Sequence, residues 1–245
     1  LFPIRDLNPT RIFPVVTIGL ILLNVAVFIF WQPHDNINQE DAFLYRNAAI
    51  SCEITTGAPL SQIEMSTQQC VDNGAPSVYP DKNVWLAVVV SMFLHGSIAH
   101  IVFNMWFLWI FGNNIEEAYG FLGYLVMYLV CGLGAAAAFV FSNPNATVPM
   151  IGASGAIAGV LGAYLVLFPR NRVLTLLLFF FVQVPAWLYL VVWFGLQFAT
   201  QDTGVAWQAH VGGFLVGVVI TLILRPALLA RVRRIHQPIV GYRTA

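Results

Sequence analysis

Charge is scarce in this chain of 245 residues: Asp, Glu, Lys and Arg together make up 9% of it. A soluble globular domain carries about a quarter, so that class is excluded. Cysteine is scarce too, and three residues are too few for a disulfide scaffold. No aspartate falls inside an apolar run, which removes an intramembrane aspartyl mechanism. His-Glu-x-x-His is absent, and His34, His95, His100, His210 and His236 lack ligand spacing on one helix. Glycine loops that cradle phosphates are missing as well, and a formal net charge of zero gives no sign of a nucleic-acid partner. Neither a metal nor a cofactor is expected.

What the chain has is apolar length, at 59% hydrophobic. The expected fold class is all-α, a polytopic membrane protein with six spans, since a bilayer core needs about 20 residues of helix. The spans are expected near 12–31, 96–111, 121–141, 149–168, 173–199 and 206–224, with Pro185 kinking the fifth. Residues 83–94 are apolar but short, which fits an interfacial or re-entrant segment. The expected organisation is a tail over 1–11, a membrane domain over 12–228 with a long outer loop at about 32–95, and a basic tail over 229–245. Cys52 and Cys70 share that polar loop and can pair if it faces an oxidising compartment. Cys131 lies in an apolar run and reads as a core residue.

Orientation follows from where basic residues collect, because cytoplasmic flanks are enriched in them. With the N-terminus inside, Arg5, Arg11, Arg170, Arg172, Arg225, Arg231, Arg233, Arg234 and Arg243 are cytoplasmic, nine of the eleven basic residues. Eight of the eleven acids, Asp202 among them, then lie outside. Both termini are therefore expected in the cytoplasm. With no transit peptide or seventh span, a prokaryotic cytoplasmic membrane is the expected location.

In this topology the second, fourth and sixth spans run inward, and each carries polar residues near its outer end. His100 and Asn104, Ser154, and His210 come to lie about 5 to 10 Å below the outer surface at 1.5 Å per residue. Polar groups in a membrane are costly and turn to a protein interior or a watery cavity. A common depth on three helices points to one cavity. Gly155, Ala158, Gly159 and Gly162 on the fourth span, and Gly213 and Gly217 on the sixth, form small-residue faces that let two backbones approach. If those faces pack together, the Ser154 hydroxyl can reach His210, the minimum for a base-activated nucleophile. His100 and Asn104, one turn apart, can then donate to an oxyanion beside the Ser154 N–H. His95 at the segment boundary reads as structural or orienting. Glu116 and Glu117, at the inner end of the second span, read as capping and topology residues.

Four stretches occur in order: His95-Gly-Ser-Ile-Ala-His100-Ile-Val-Phe-Asn104, Gly112-x-x-x-Glu116-x-x-x-Gly120, Gly152-Ala-Ser154-Gly155, and Ala209-His210-Val-Gly-Gly213-x-x-x-Gly217. In these the chain resembles the rhomboid intramembrane serine proteases. The resemblance implies a six-helix bundle, Ser154 as nucleophile, His210 as general base, and His100 and Asn104 with the Ser154 amide as oxyanion donors. It also implies that the substrates are transmembrane segments cut near their outer end; the expected partners are single-span proteins that enter sideways from the lipid. Two positions depart from the family's pattern: Leu86-Ala87 stand where many relatives carry Trp-Arg, and Ala158 where some carry an aromatic that supports the histidine ring. The alternative readings are a catalytically silent rhomboid-like binder of transmembrane clients and a small transporter. The fifth span and the loop Thr200 to Val205 are the expected gates.

Overall fold

The computed structural model describes residues 2–34, 36–71, 74–199 and 206–237. The chain is mostly helical, but it is not all-α: three short strands make one antiparallel sheet in the order β1-β2-β3. Strand β1 (Phe2–Asp6) precedes helix α1 (Val15–Phe30). The polar loop that follows holds α2 (Ile37–Asn47), α3 (Ser51–Thr56) and α4 (Gln62–Thr67), and then the eight-residue α5 (Val84–Ser91). Next come α6 (Ile98–Tyr119), α7 (Phe121–Ser142) and α8 (Ser154–Leu167). The hairpin β2 (Arg172–Leu177) and β3 (Phe180–Pro185) leads into α9 (Ala186–Gln197), and α10 (Trp207–His236) follows.

Among the described residues, α6, α7 and α10 are long and apolar enough to cross a membrane, and α1, α8 and α9 are shorter apolar helices. The continuous fifth span expected over 173–199 does not form. Its first half is the hairpin, with Leu177 paired to Phe180 and Leu178 turning at φ +55°. Pro185 stands at the N-cap of α9 rather than inside a helix, where its missing N–H costs nothing. The second helix runs on past Gly112 and stops at Gly120, whose φ of +76° a side chain would oppose. The sixth continues through Pro226 to His236, so much of the stretch expected as a C-terminal tail is helical. Residues 2–6, expected in an N-terminal tail, are β1.

Strand β1 lies along α6. Asp6 accepts hydrogen bonds from Asn114 Nδ2 (2.5 Å) and Tyr164 OH (3.0 Å), tying the strand to α6 and α8. Four residues earlier, the Phe2 ring stacks on Trp106 at 5.7 Å and meets Phe103 at 6.1 Å. Glu116 and Glu117, on α6, reach the chain at and just before the start of α1. Glu116 accepts from the N–H groups of Val16 and Thr17 and from Thr17 Oγ1, and Glu117 from the N–H groups of Arg11 and Ile12. Val16 and Thr17 lie in the first turn of α1, where donors lack intrahelical partners and a carboxylate is favoured.

The polar loop is held by its own small core of Ile50, Cys52 and Leu60, by a Cys52–Cys70 disulfide, and by a buried Lys82–Glu53 ion pair. Burial pushes the Glu53 carboxyl up and the Lys82 ammonium down, and each group partly restores the other. Cys131 is a buried free thiol. Around the site, α8 is central: Ile157, Val160, Leu161 and Tyr164 are buried among α6, α7, α9 and α10.

Candidate active site

Pro149 to Ala153 is not helical, so Ser154 is the first residue of α8 rather than a residue one turn inside it. The segment is held from the loop side. Met150 N–H donates to the Ala49 carbonyl (2.8 Å) and Gly152 N–H to the Ser91 carbonyl (2.9 Å), while Ser91 Oγ accepts from Ala49 N–H. Gly152 has φ +119°, and a Cβ there would lie 2.8 Å from His100 Nε2, so glycine meets both a backbone and a steric requirement. This placement removes the usual fate of a membrane serine, a bond to the carbonyl one turn back. The Ser154 N–H instead belongs to the first turn, where amides lack intrahelical partners.

Helices α8 and α10 approach backbone to backbone. A Cβ on Gly213 would lie 2.0 Å from the Gly155 carbonyl oxygen, and one on Gly217 would lie 2.1 Å from that of Gly159. Only glycine allows that spacing, and dispersion contacts at close range are what hold membrane helices together. The consequence is the pair the sequence pointed to: His210 Nε2 and Ser154 Oγ are 2.8 Å apart.

These two residues line a cavity of about 810 Å³ together with His100 and Asn104. Asn104 Nδ2 is buried with no hydrogen-bond partner among the described residues, an uncommon state for a buried donor. The His95 ring meets the His100 ring edge-on at 5.0 Å. The backbone of His95 is clamped by Gln32, which accepts from its N–H and donates to its carbonyl, both at 2.9 Å. Hence the four residues singled out from the sequence share one cavity, and His95 packs behind them.

Two further residues were not singled out. Trp193 and Gln197, one turn apart on α9, line the same cavity, and Gln197 Oε1 lies 2.6 Å from His210 Nδ1. The Trp193 ring lies 6.3 Å from the His210 ring at 34°. Both lie against the His210 ring, on a helix other than the one that carries Ala158. The signal for Gln197 was present, a polar residue inside an apolar run. The loop Thr200 to Val205, expected as a gate, lies outside the described residues, as do Asp202 and Arg243.

A rhomboid domain matches residues 82–227. The chain is 34% identical over 134 residues to Rhomboid protease GluP of Bacillus subtilis (strain 168), covering 54% of this chain and 25% of that protein. It is 26% identical over 223 residues to RHOMBOID-like protein 12, mitochondrial, of Arabidopsis thaliana, covering 83% and 56%. It is 27% identical over 233 residues to Rhomboid protease AarA of Providencia stuartii, covering 84% and 71%. The chain thus spans between a quarter and about half the length of the first two. The chain belongs to the rhomboid family.

Proposed function

We propose that this chain is an intramembrane serine endopeptidase that cleaves transmembrane segments of single-span proteins near their outer end, using Ser154 and His210 as a dyad. The 2.8 Å approach of His210 Nε2 to Ser154 Oγ is the observation that carries the reading, since nucleophile and base must be within hydrogen-bond reach. His210 takes the serine proton as Oγ attacks the peptide carbonyl, then gives it to the leaving amine. Water next attacks the acyl-enzyme with His210 again as base, releasing the acid and restoring the hydroxyl. The developing oxyanion is held by the Ser154 N–H, Asn104 Nδ2 and the His100 imidazole. The orphaned Asn104 donor supports this role, because such a donor binds negative charge without reorganising.

In this reading α1, α6, α7, α8, α9 and α10 are the six spans, in the membrane of a cell and with both termini in the cytoplasm. Helices α8 and α9 are too short alone to cover about 30 Å of hydrocarbon. The 149–153 approach completes the first on its outer side, and the sheet accompanies the second. The basic residues at the inner ends, Arg11, Arg170, Arg172 and Arg231 among them, support the orientation. A substrate enters from lipid, and helix-weakening Gly or Pro near the cut eases its unwinding.

The test is proteolysis of a single-span reporter by the purified chain, with sequencing of the released fragment. One cut near the outer end of the span is expected, abolished by Ser154→Ala and by His210→Ala. Cleavage that survives Ser154→Ala, or a folded wild type that cuts no single-span protein, overturns the reading.

A further inference from the structure

Nothing in a two-residue dyad says which nitrogen of His210 carries the proton, and the neutral imidazole has two choices. The surroundings of the ring make the choice. Gln197 is the last residue of α9 and is buried. Its Nε2 donates to the Trp193 carbonyl one turn back, at 2.9 Å. That bond decides which way the amide faces, and leaves Oε1 as the atom 2.6 Å from His210 Nδ1. A carbonyl oxygen can only accept, so Nδ1 must be the protonated nitrogen. Nε2 is then bare, and it is the nitrogen 2.8 Å from Ser154 Oγ.

We propose that Gln197 is a positioning residue of this site: it fixes the tautomer and the ring orientation in which His210 offers a bare Nε2 to Ser154. The inference rests on the protease reading above. In serine hydrolases outside the membrane a buried carboxylate has this duty, and a partner of the wrong hydrogen-bonding sense gives the wrong tautomer. An ionised group at this depth is expensive. A neutral amide supplies the same acceptor without that cost. The Trp193 ring, tilted over the imidazole from the same helix, limits its rotation. His210 is thus steadied by α9 rather than by its own helix, and the chemistry depends on α9 staying in place.

The test uses Gln197→Met, of similar length but without the acceptor, and Gln197→Glu, which keeps an acceptor toward Nδ1. Two readouts are taken on the full chain in lipid. The first is the ¹⁵N spectrum of histidine-labelled protein at neutral pH, with His210→Ala for assignment. The second is kcat and KM on a single-span reporter. A wild-type His210 protonated at Nδ1, and a mixture of tautomers in Gln197→Met, are expected. In the same variant kcat falls about 10- to 100-fold, the range seen when the hydrogen-bond partner of a metal-bound histidine is removed, with KM within about twofold. Gln197→Glu recovers part of the loss.

A wild-type His210 protonated at Nε2 overturns the proposal. So does an unchanged kcat in Gln197→Met, or a Gln197→Glu no better than Gln197→Met. If wild type cuts nothing, the protease reading fails, while the spectrum still decides whether Gln197 sets the tautomer.

Discussion

Gly217 on α10 faces the carbonyl oxygen of Gly159 on α8 so closely that a methyl group there would sit 2.1 Å from it. The same two helices carry His210 and Ser154, so the 2.8 Å approach of those side chains depends on a contact more than a turn away. Gly217→Ala is expected to push the helices apart, at about 1–3 kcal/mol of overpacking. Reporter cleavage should fall steeply while Gly19→Ala, where a Cβ meets nothing within 4 Å, leaves it unchanged. Thermal unfolding in detergent and the cleavage rate, measured together, check this.

Asn104 gives a prediction of the opposite kind. Its buried Nδ2 has no hydrogen-bond partner among the described residues, so removing it should cost the folded state little. Asn104→Ala is expected to keep its melting temperature and lose about 10²–10³-fold in kcat, the usual size for one oxyanion donor. Steady-state kinetics on the reporter decide it, with KM expected to change little.

Much of this was legible in the sequence, and the exceptions have physical causes. His100, Asn104, Ser154 and His210 stood out because polar groups are rare in apolar runs and these occur at matching depths. The hairpin at 172–185 did not. Leu-Thr-Leu-Leu-Leu-Phe-Phe-Phe-Val-Gln-Val is apolar nearly throughout, and a run of that sort fits a buried strand or a helix equally well. Its turn offers no glycine, since Leu178 itself takes the positive φ. Pro185 signalled a break, but a break and a helix start look alike in sequence. Gln197 carried the same kind of signal as Asn104. It was hidden because its histidine partner lies beyond an intervening loop.

Glu116 separates support from catalysis. Its carboxylate accepts three hydrogen bonds from the start of α1, two from backbone N–H groups and one from Thr17 Oγ1. Glu116→Ala leaves those buried donors unpaired and is expected to destabilise the protein by about 3 kcal/mol. The kcat of the fraction that remains folded should be unchanged. Detergent melting curves alongside active-site titration check both halves.

The polar loop holds a buried pair whose charges depend on each other. Lys82 Nζ meets Glu53 Oε2 with side-chain exposures of 1% and 2%, and Glu53 also accepts from Leu60 N–H. Lys82→Met strands a carboxylate in the loop core and is expected to cost about 3–5 kcal/mol. Adding Glu53→Gln, which keeps an acceptor for Leu60 but removes the charge, should recover most of it. Unfolding midpoints of the single and double variants test this.

The central claim is that a hydroxyl at the first position of α8 is made nucleophilic by an imidazole from α10. Its most direct test is mass spectrometry of the adduct formed with a fluorophosphonate in the wild type and in His210→Ala. The account predicts one modified residue, Ser154, in the wild type and almost no modification without the imidazole. An adduct on any other residue, or Ser154 modified equally fast in His210→Ala, would contradict it.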